Sequence, residues 1–195
     1  MSIDLDIVQD LVAAAQNGDS DSFGEVFEEY YPLIYQYHWY RCWNRAESQD
    51  LTSQTFMRSL EKLDSYDSRK GTFRAWIYRL AHNVLVDHYR RSRPESSVED
   101  AWDLASSEDV AADAELSETL EEVSRLVEQL TADQRNLLLL RVWDGLSYRD
   151  IAAVLGKSPD SCKMGFSRIV AGMRGKLAVF GLALVVFNNL MPFEI

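Results

Sequence analysis

Residues 95–128 carry twelve acidic side chains and a single basic one. That block limits what the chain can fold into. A stretch so charged, opened by Pro94 and rich in Ser, Asp, Glu and Ala, cannot bury enough apolar surface to hold a core. The chain is long enough for one large domain or two small ones, each with a core, and the block reads as a linker between two lobes. The net charge of −11 also changes meaning once the block is set apart. Residues 1–94 hold 11 basic and 14 acidic side chains, and residues 129–195 hold 8 basic and 5 acidic. The block carries the imbalance. An acidic tether between two nearly neutral units does not exclude nucleic acid in the way a uniformly acidic surface would.

Both flanking units read as helical. Sustained alternation of β-branched residues is missing, and apolar residues recur at three and four. A first helix, about Ile7 to Gln16, stops at Asn17-Gly18. Asp19 or Ser20 caps the next, an aromatic helix in which Pro32 marks a kink or a join. Phe23, Phe27, Tyr30, Ile34 and Tyr37 are expected in its core. A third helix runs from Ala46 to Leu63, with Leu51, Thr55, Met57 or Arg58, and Leu60 on its buried stripe. After the loop "DSYDSRKGT" a fourth runs from about Thr72 to Arg91, with Ile77, Leu80, Ala81 and Val84 inward. From Leu116 onward, starting within the acidic block, the chain reads as helical again, with Leu116, Leu120, Val123, Val127 and Leu130 as a stripe. Thr131 caps a helix that Gly145 ends. Ser147 and Asp150 open a short helix ended by Gly156, and Ser158 caps a last one with Pro159 at its first position. Two short helices joined by a tight glycine turn have the spacing of a helix-turn-helix.

The fourth helix carries the chemistry. From Arg69 to Arg93 seven basic residues face one acid, Asp87, with Phe73, Trp76, Tyr78 and Tyr89 among them. Cations suit a phosphate backbone and flat rings suit unstacked bases. Trp76, Arg79, Asn83, Asp87 and Arg90 share one face. A helix for melted DNA and a helix-turn-helix for a duplex major groove, joined by a tether, can each be weak and still bind together. Other chemistries find no support. The carboxylate pairs have no acid–base partners, no glycine-rich phosphate loop is present, and Cys42, Cys162 and the three histidines lack ligand spacing. Neither catalysis nor a metal or other cofactor is expected. The N-terminus lacks a signal-peptide core, so a cytoplasmic location is expected.

Five stretches, in this order, resemble the extracytoplasmic-function (group IV) sigma factors of the sigma-70 family. They are "LVAAAQNGDSDSFGEVFEEYYPLIY", "AESQDLTSQTFMRSLEKLDSYD", "GTFRAWIYRLAHNVLVDHYRR", "LTADQRNLLLLRVWDGLSYRDIAAVLG" and "KSPDSCKMGFSRIVAGMRGKL". The resemblance implies an all-α chain of two small helical domains. A region 2-like domain would occupy residues 1–94, the acidic linker 95–115, a region 4-like helix-turn-helix domain 116–177 and a hydrophobic extension 178–195.

It also implies roles. Asp50, Gln54, Thr55, Phe56 and Arg58 would meet the β′ clamp helices of core RNA polymerase, whose β flap is a further contact. Arg69, Lys70, Phe73, Trp76, Arg79, Asn83, Asp87, Arg90 and Arg91 would bind the −10 element, with the loop 65–72 taking a flipped base. Ser158, Ser161, Lys163, Met164, Ser167 and Arg168 would face the −35 element. The linker would thread the polymerase interior. Promoter DNA and an anti-sigma factor are the other implied partners. The alternative is a sigma-like interaction module that binds polymerase or a regulator without directing initiation.

Two departures bear on this. The family's recognition helix usually shows a Thr-Val-Lys-Ser-Arg-like run and then Arg-Ala-Arg. Here it reads Ser161-Cys162-Lys163-Met164-Gly165 and then Arg168-Ile169-Val170, with fewer cations. The tail carries an apolar run from Leu177 to Phe187, 11 residues, short of the roughly 20 a membrane-spanning helix needs. A helix packed on the C-terminal unit, a surface for an anti-sigma partner or a lid over the free protein are the readings open for it.

Overall fold

The computed structural model describes residues 5–42, 44–92 and 129–172. Among them are seven α-helices and no strand. The acidic linker, most of the Leu116–Leu130 stripe, Arg93 and the hydrophobic tail lie outside the described residues.

The N-terminal helices are α1 (Leu5–Gln16), α2 (Ser20–Cys42), α3 (Arg45–Lys62) and α4 (Phe73–Ser92), with a 3₁₀ turn, Leu63–Ser65, after α3. Asp19 supplies the cap of α2: its carboxylate accepts from the Asp21 N–H and the Ser22 hydroxyl. The Ser22 hydrogen bonds hold this carboxyl below the usual range. Pro32 lies within α2, which runs through it as one helix and not as a join of two. Val8 and Val12 of α1, Tyr30, Ile34 and Tyr37 of α2, Leu51 and Phe56 of α3, and Ile77, Ala81, Val84 and Leu85 of α4 form the core.

In α3 the buried stripe is turned by one position from the sequence expectation. Ser48, Leu51, Thr52, Thr55, Phe56 and Ser59 are buried, while Met57 and Leu60 are 64% and 59% exposed. Small hydroxyl residues permit this, because their side chains are satisfied by the helix itself. Thr52, Thr55 and Ser59 each donate to a carbonyl of the preceding turn. Buried polar groups so bonded cost little. Phe27, expected inside, is 37% exposed and packs its ring on Tyr31 and Phe56 at the rim.

The C-terminal helices are α5 (Ala132–Val142), α6 (Tyr148–Leu155) and α7 (Pro159–Gly172). Their starts follow the capping residues. The Thr131 hydroxyl accepts from the Gln134 N–H and Gln134 returns the bond, a full capping box. Ser147 accepts from the Asp150 N–H, and Ser158 from the Ser161 N–H. Gly156 ends α6 in the left-handed region, φ 66°, with its N–H on the Ala152 carbonyl. Only glycine takes that conformation without strain. The tight turn sets α6 and α7 against each other, and both pack on α5. Leu138, Leu140, Leu146, Ile151, Cys162 and Ile169 fill the space between them.

The two groups of helices also touch, through α4 against α6.

Candidate nucleic-acid interface

The α4 surface is built from its cap outward. Thr72 accepts from the Ala75 N–H, which fixes the first turn. With Ile77, Leu80, Ala81 and Val84 inward, Arg79, Asn83, Arg90 and Arg91 are exposed. Spacings of four and seven put Arg79, Asn83 and Arg90 on one stripe. Trp76 is half-buried at its N-terminal end, with its ring against Tyr66 and Phe73 at 5.5 and 5.3 Å. One face of such a ring is fixed by packing while the rest stays available to a base. Phe73 differs from expectation. It is 2% exposed, enclosed by Tyr30, Tyr66 and Trp76, and supports the platform without reaching its surface.

The loop before α4 is ordered by its own residues. Asp67 binds the Arg69 side chain twice, through Nε and Nη2 at 2.9 Å each, and also accepts the Arg69 N–H. These bonds hold the Asp67 carboxyl down at about 2. The Tyr66 hydroxyl donates to the Gly71 carbonyl. From α1, Gln16 Nε2 donates to the carbonyls of both Leu63 and Tyr66, at 2.8 and 2.9 Å. An open recess results, lined by Gln16 and residues 64–70. Lys70 is also within 3.8 Å of Asp67, so both loop cations are partly neutralised in place. The role of Gln16 lay beyond the sequence, since nothing local marks its reach of about fifty residues.

On α3, Asp50 is exposed and bonded to Gln54, which is half-buried. Thr55 and Phe56, expected to meet a partner, are 0% and 5% exposed and belong to the core. The same rotation of the helix brings Met57 and Leu60 to the surface in their stead. Arg58 lies between α3 and α4, paired with Asp87.

The outer face of α7 carries Ser158, Ser161, Lys163, Met164, Ser167 and Arg168, all exposed, with Cys162 and Ile169 beneath. Two of these are cations. Met164 is 55% exposed, an apolar contact of the sort that suits a thymine methyl group. Gly165 lies where α7 comes nearest α5: a Cβ there would stand 3.0 Å from Leu137 Cδ2.

Two family models match these two groups of helices: Sigma-70 region 2 over residues 26–95 and Sigma-70, region 4 over residues 120–171. The chain belongs to the sigma-70 family. Its relatives place it among the extracytoplasmic-function sigma factors. It is similar to the ECF RNA polymerase sigma factor BldN of Streptomyces coelicolor, 31% identical over 80% of this chain and 60% of that one. It is also similar to SigW of Bacillus subtilis, 25% identical over 88% of this chain and 97% of the relative, and to the RNA polymerase sigma factor YlaC of the same organism, 30% identical over 71% and 82%. The chain thus spans less than two thirds of BldN and nearly all of SigW. Among solved structures, CnrH in complex with the cytosolic domain of CnrY shares the fold, with a TM-score of 0.64 at 22% identity, covering 90% of this chain and 98% of that one. No helix among the described residues is long and apolar enough to cross a membrane.

In this sigma factor the region 2 match runs from within α2 through α4, and the region 4 match takes in α5–α7. Arg74 and Tyr78 on α4, counted in the basic and aromatic run of the sequence but given no site role there, both reach Asp144, between α5 and α6.

Proposed function

We propose that the protein directs transcription initiation as an alternative sigma factor in the cytoplasm, without covalent chemistry of its own. Core RNA polymerase docks on the exposed face of α3, where Asp50, Met57 and Leu60 stand clear of the core. The −10 element is held by Arg79, Asn83, Arg90 and Arg91, with Trp76 stacking on a melted base and the recess beside Arg69 and Lys70 receiving a flipped one. The −35 element is read by the outer face of α7. Region 2-like and region 4-like units would divide near the boundaries the sequence suggests, with the acidic segment as linker, and an anti-sigma factor as a regulator.

One observation supports this most. The chain presents an exposed stripe of cations and Asn beside a half-buried Trp, and separately a helix-turn-helix whose second helix has its outer face exposed. Melted and duplex DNA need these two surfaces in turn.

The cation-poor face of α7 supports a second reading, a polymerase-binding module that does not direct initiation. In vitro transcription with purified core polymerase over a pool of promoter fragments separates the two. Transcripts that fade with Trp76→Ala and Asn83→Ala establish initiation. Polymerase binding with no transcript establishes the module.

A further inference from the structure

One side chain of α1 holds the loop before α4 in place. Gln16 is the last residue of α1. Its carboxamide nitrogen carries two hydrogens, and both are spent on the loop. Nε2 donates to the Leu63 carbonyl at 2.8 Å and to the Tyr66 carbonyl at 2.9 Å. The other ties of this segment are local. The Tyr66 N–H donates to the Leu63 carbonyl, the Lys70 N–H to the Asp67 carbonyl, the Tyr66 hydroxyl to the Gly71 carbonyl, and Arg69 closes on Asp67. Those bonds give the loop its shape. Its place in the bundle is set by the buried side chains of Leu63 and Tyr66 and by Gln16. Apolar burial has no direction, so the two Gln16 bonds are what orient the loop.

Tyr66 joins the loop to the stacking platform. Gln16 holds its carbonyl, while its ring packs on Phe73 and Trp76 at 5.5 Å each. Tyr66 and Gln16 also both line the recess. A base stacked on Trp76 and a base turned into the recess belong to one strand, and the sugar–phosphate chain limits how far apart they can lie. A recess fixed relative to Trp76 before the strand arrives spares binding the cost of ordering the loop.

We propose that Gln16 is a positioning residue for the melted strand: it holds residues 63–70 so that the recess and the Trp76 platform accept two bases of the same strand. This rests on the initiation reading above, in which the recess takes a flipped base.

The test uses two variants. Gln16→Met matches the length of the side chain and removes both donors. Gln16→Lys supplies an ammonium that can donate to both carbonyls but has no acceptor. Hydrogen exchange with mass spectrometry on the full chain reads the loop directly. Gln16→Met should speed exchange across residues 63–70 about tenfold, with α2 and α4 unchanged, and Gln16→Lys should return it close to wild type. The holoenzyme then binds a labelled −10 strand from a promoter recovered from the transcribed pool, with each base in turn replaced by an abasic site. Wild type should lose at least about fivefold in affinity at the stacked base and again at the recess base. Trp76→Ala should abolish the loss at the stacked base, which tells the two apart. Gln16→Met should shrink the recess loss to below about twofold and leave the stacked loss intact, whereas a general loss of stability would not select one position. Each loss is a ratio within one variant, so the added charge of lysine cancels, and Gln16→Lys should restore the recess loss.

Unchanged loop exchange in Gln16→Met overturns the role, and so does faster exchange with the recess loss intact. Restored exchange without a restored recess loss in Gln16→Lys overturns it too, since Gln16 would then read the base itself. A wild-type holoenzyme sensitive only at the base that Trp76→Ala abolishes removes the flipped-base reading, and the role of Gln16 with it.

Discussion

Arg58 of α3 and Asp87 of α4 form an ion pair at 2.9 Å across the groove between the two helices. Their side chains are 28% and 41% exposed. The resemblance assigns one to polymerase and the other to DNA, yet each is the other's partner. Solvent screens such a pair, so it contributes at most about 1 kcal/mol. On the function proposed above, its larger effect is to neutralise the Asp87 carboxylate beside the DNA-facing stripe.

Removing Arg58 therefore separates stability from binding. Arg58→Ala is expected to lower unfolding free energy by less than about 1 kcal/mol in urea titration. Affinity for a single-stranded −10 oligonucleotide should fall more clearly, since the freed Asp87 carboxylate repels phosphate. Fluorescence anisotropy at low salt measures that loss, and unchanged affinity would remove the shielding role.

Acid should destabilise the fold through two histidines. Burial, with Arg41 nearby, lowers His38 to about 3 and His82 to about 4. His38 bonds Thr55 and His82 bonds the Tyr37 hydroxyl. Unfolded, each titrates near its ordinary 6.5. Between those values the unfolded chain binds more protons, so stability rises with pH there and levels off above about 6.5. Asp144 acts with opposite sign, since burial raises its carboxyl and its contribution shrinks as pH rises through that value. Two histidines against one carboxyl leave a net loss on the order of a few kcal/mol from pH 7 to pH 4. Urea midpoints across that range test this, and His82→Gln should flatten the profile. A flat wild-type profile would contradict it.

How far the sequence revealed this molecule depends on how local each feature is. The caps at Thr131, Ser147 and Ser158 and the stop at Gly156 are legible because the bonded groups lie within four residues of each other. The inward stripe of α4 is legible for the same reason. The facing of α3 was not, because Thr and Ser at buried positions look like surface residues until their hydroxyls are seen to bond within the helix. Arg41, Asn136 and Asp144 meet over separations of 95 and 103 residues, across a block that reads as a divide. Charge patterning gave the divide and concealed the contact.

Gly165 illustrates the same limit. On propensity alone Gly165→Ala should gain roughly 1 kcal/mol in α7. The new Cβ would instead stand 3.0 Å from Leu137 Cδ2, and Leu137 is 7% exposed in the core. The side chain must yield in a packed interior, at a cost that offsets the gain. The expected change in unfolding free energy is thus within about 0.5 kcal/mol of zero. The double variant Gly165→Ala, Leu137→Ala should show positive coupling in a thermodynamic cycle. A full 1 kcal/mol gain from the single change would show that the close approach is absent in solution.

The cations of α7 set the last expectation. Lys163 and Arg168 are the only two on its described length, and both are exposed. Each phosphate contact contributes about 0.9 to the slope of log affinity against log salt. The helix can then supply a slope of at most about 2, against the larger slopes of domains with many phosphate contacts. Lys163→Ala and Arg168→Ala should each reduce the measured slope by about 1 if the residue meets phosphate. A change in base preference at one position, with the slope intact, would place that residue on a base edge instead. Because Ser161, Met164 and Ser167 share the face, sequence discrimination would then rest on hydroxyl and apolar contacts, and Met164→Ala should relax it at a thymine position by about 1 kcal/mol. Neither variant altering slope nor preference would mean that α7 does not enter the groove.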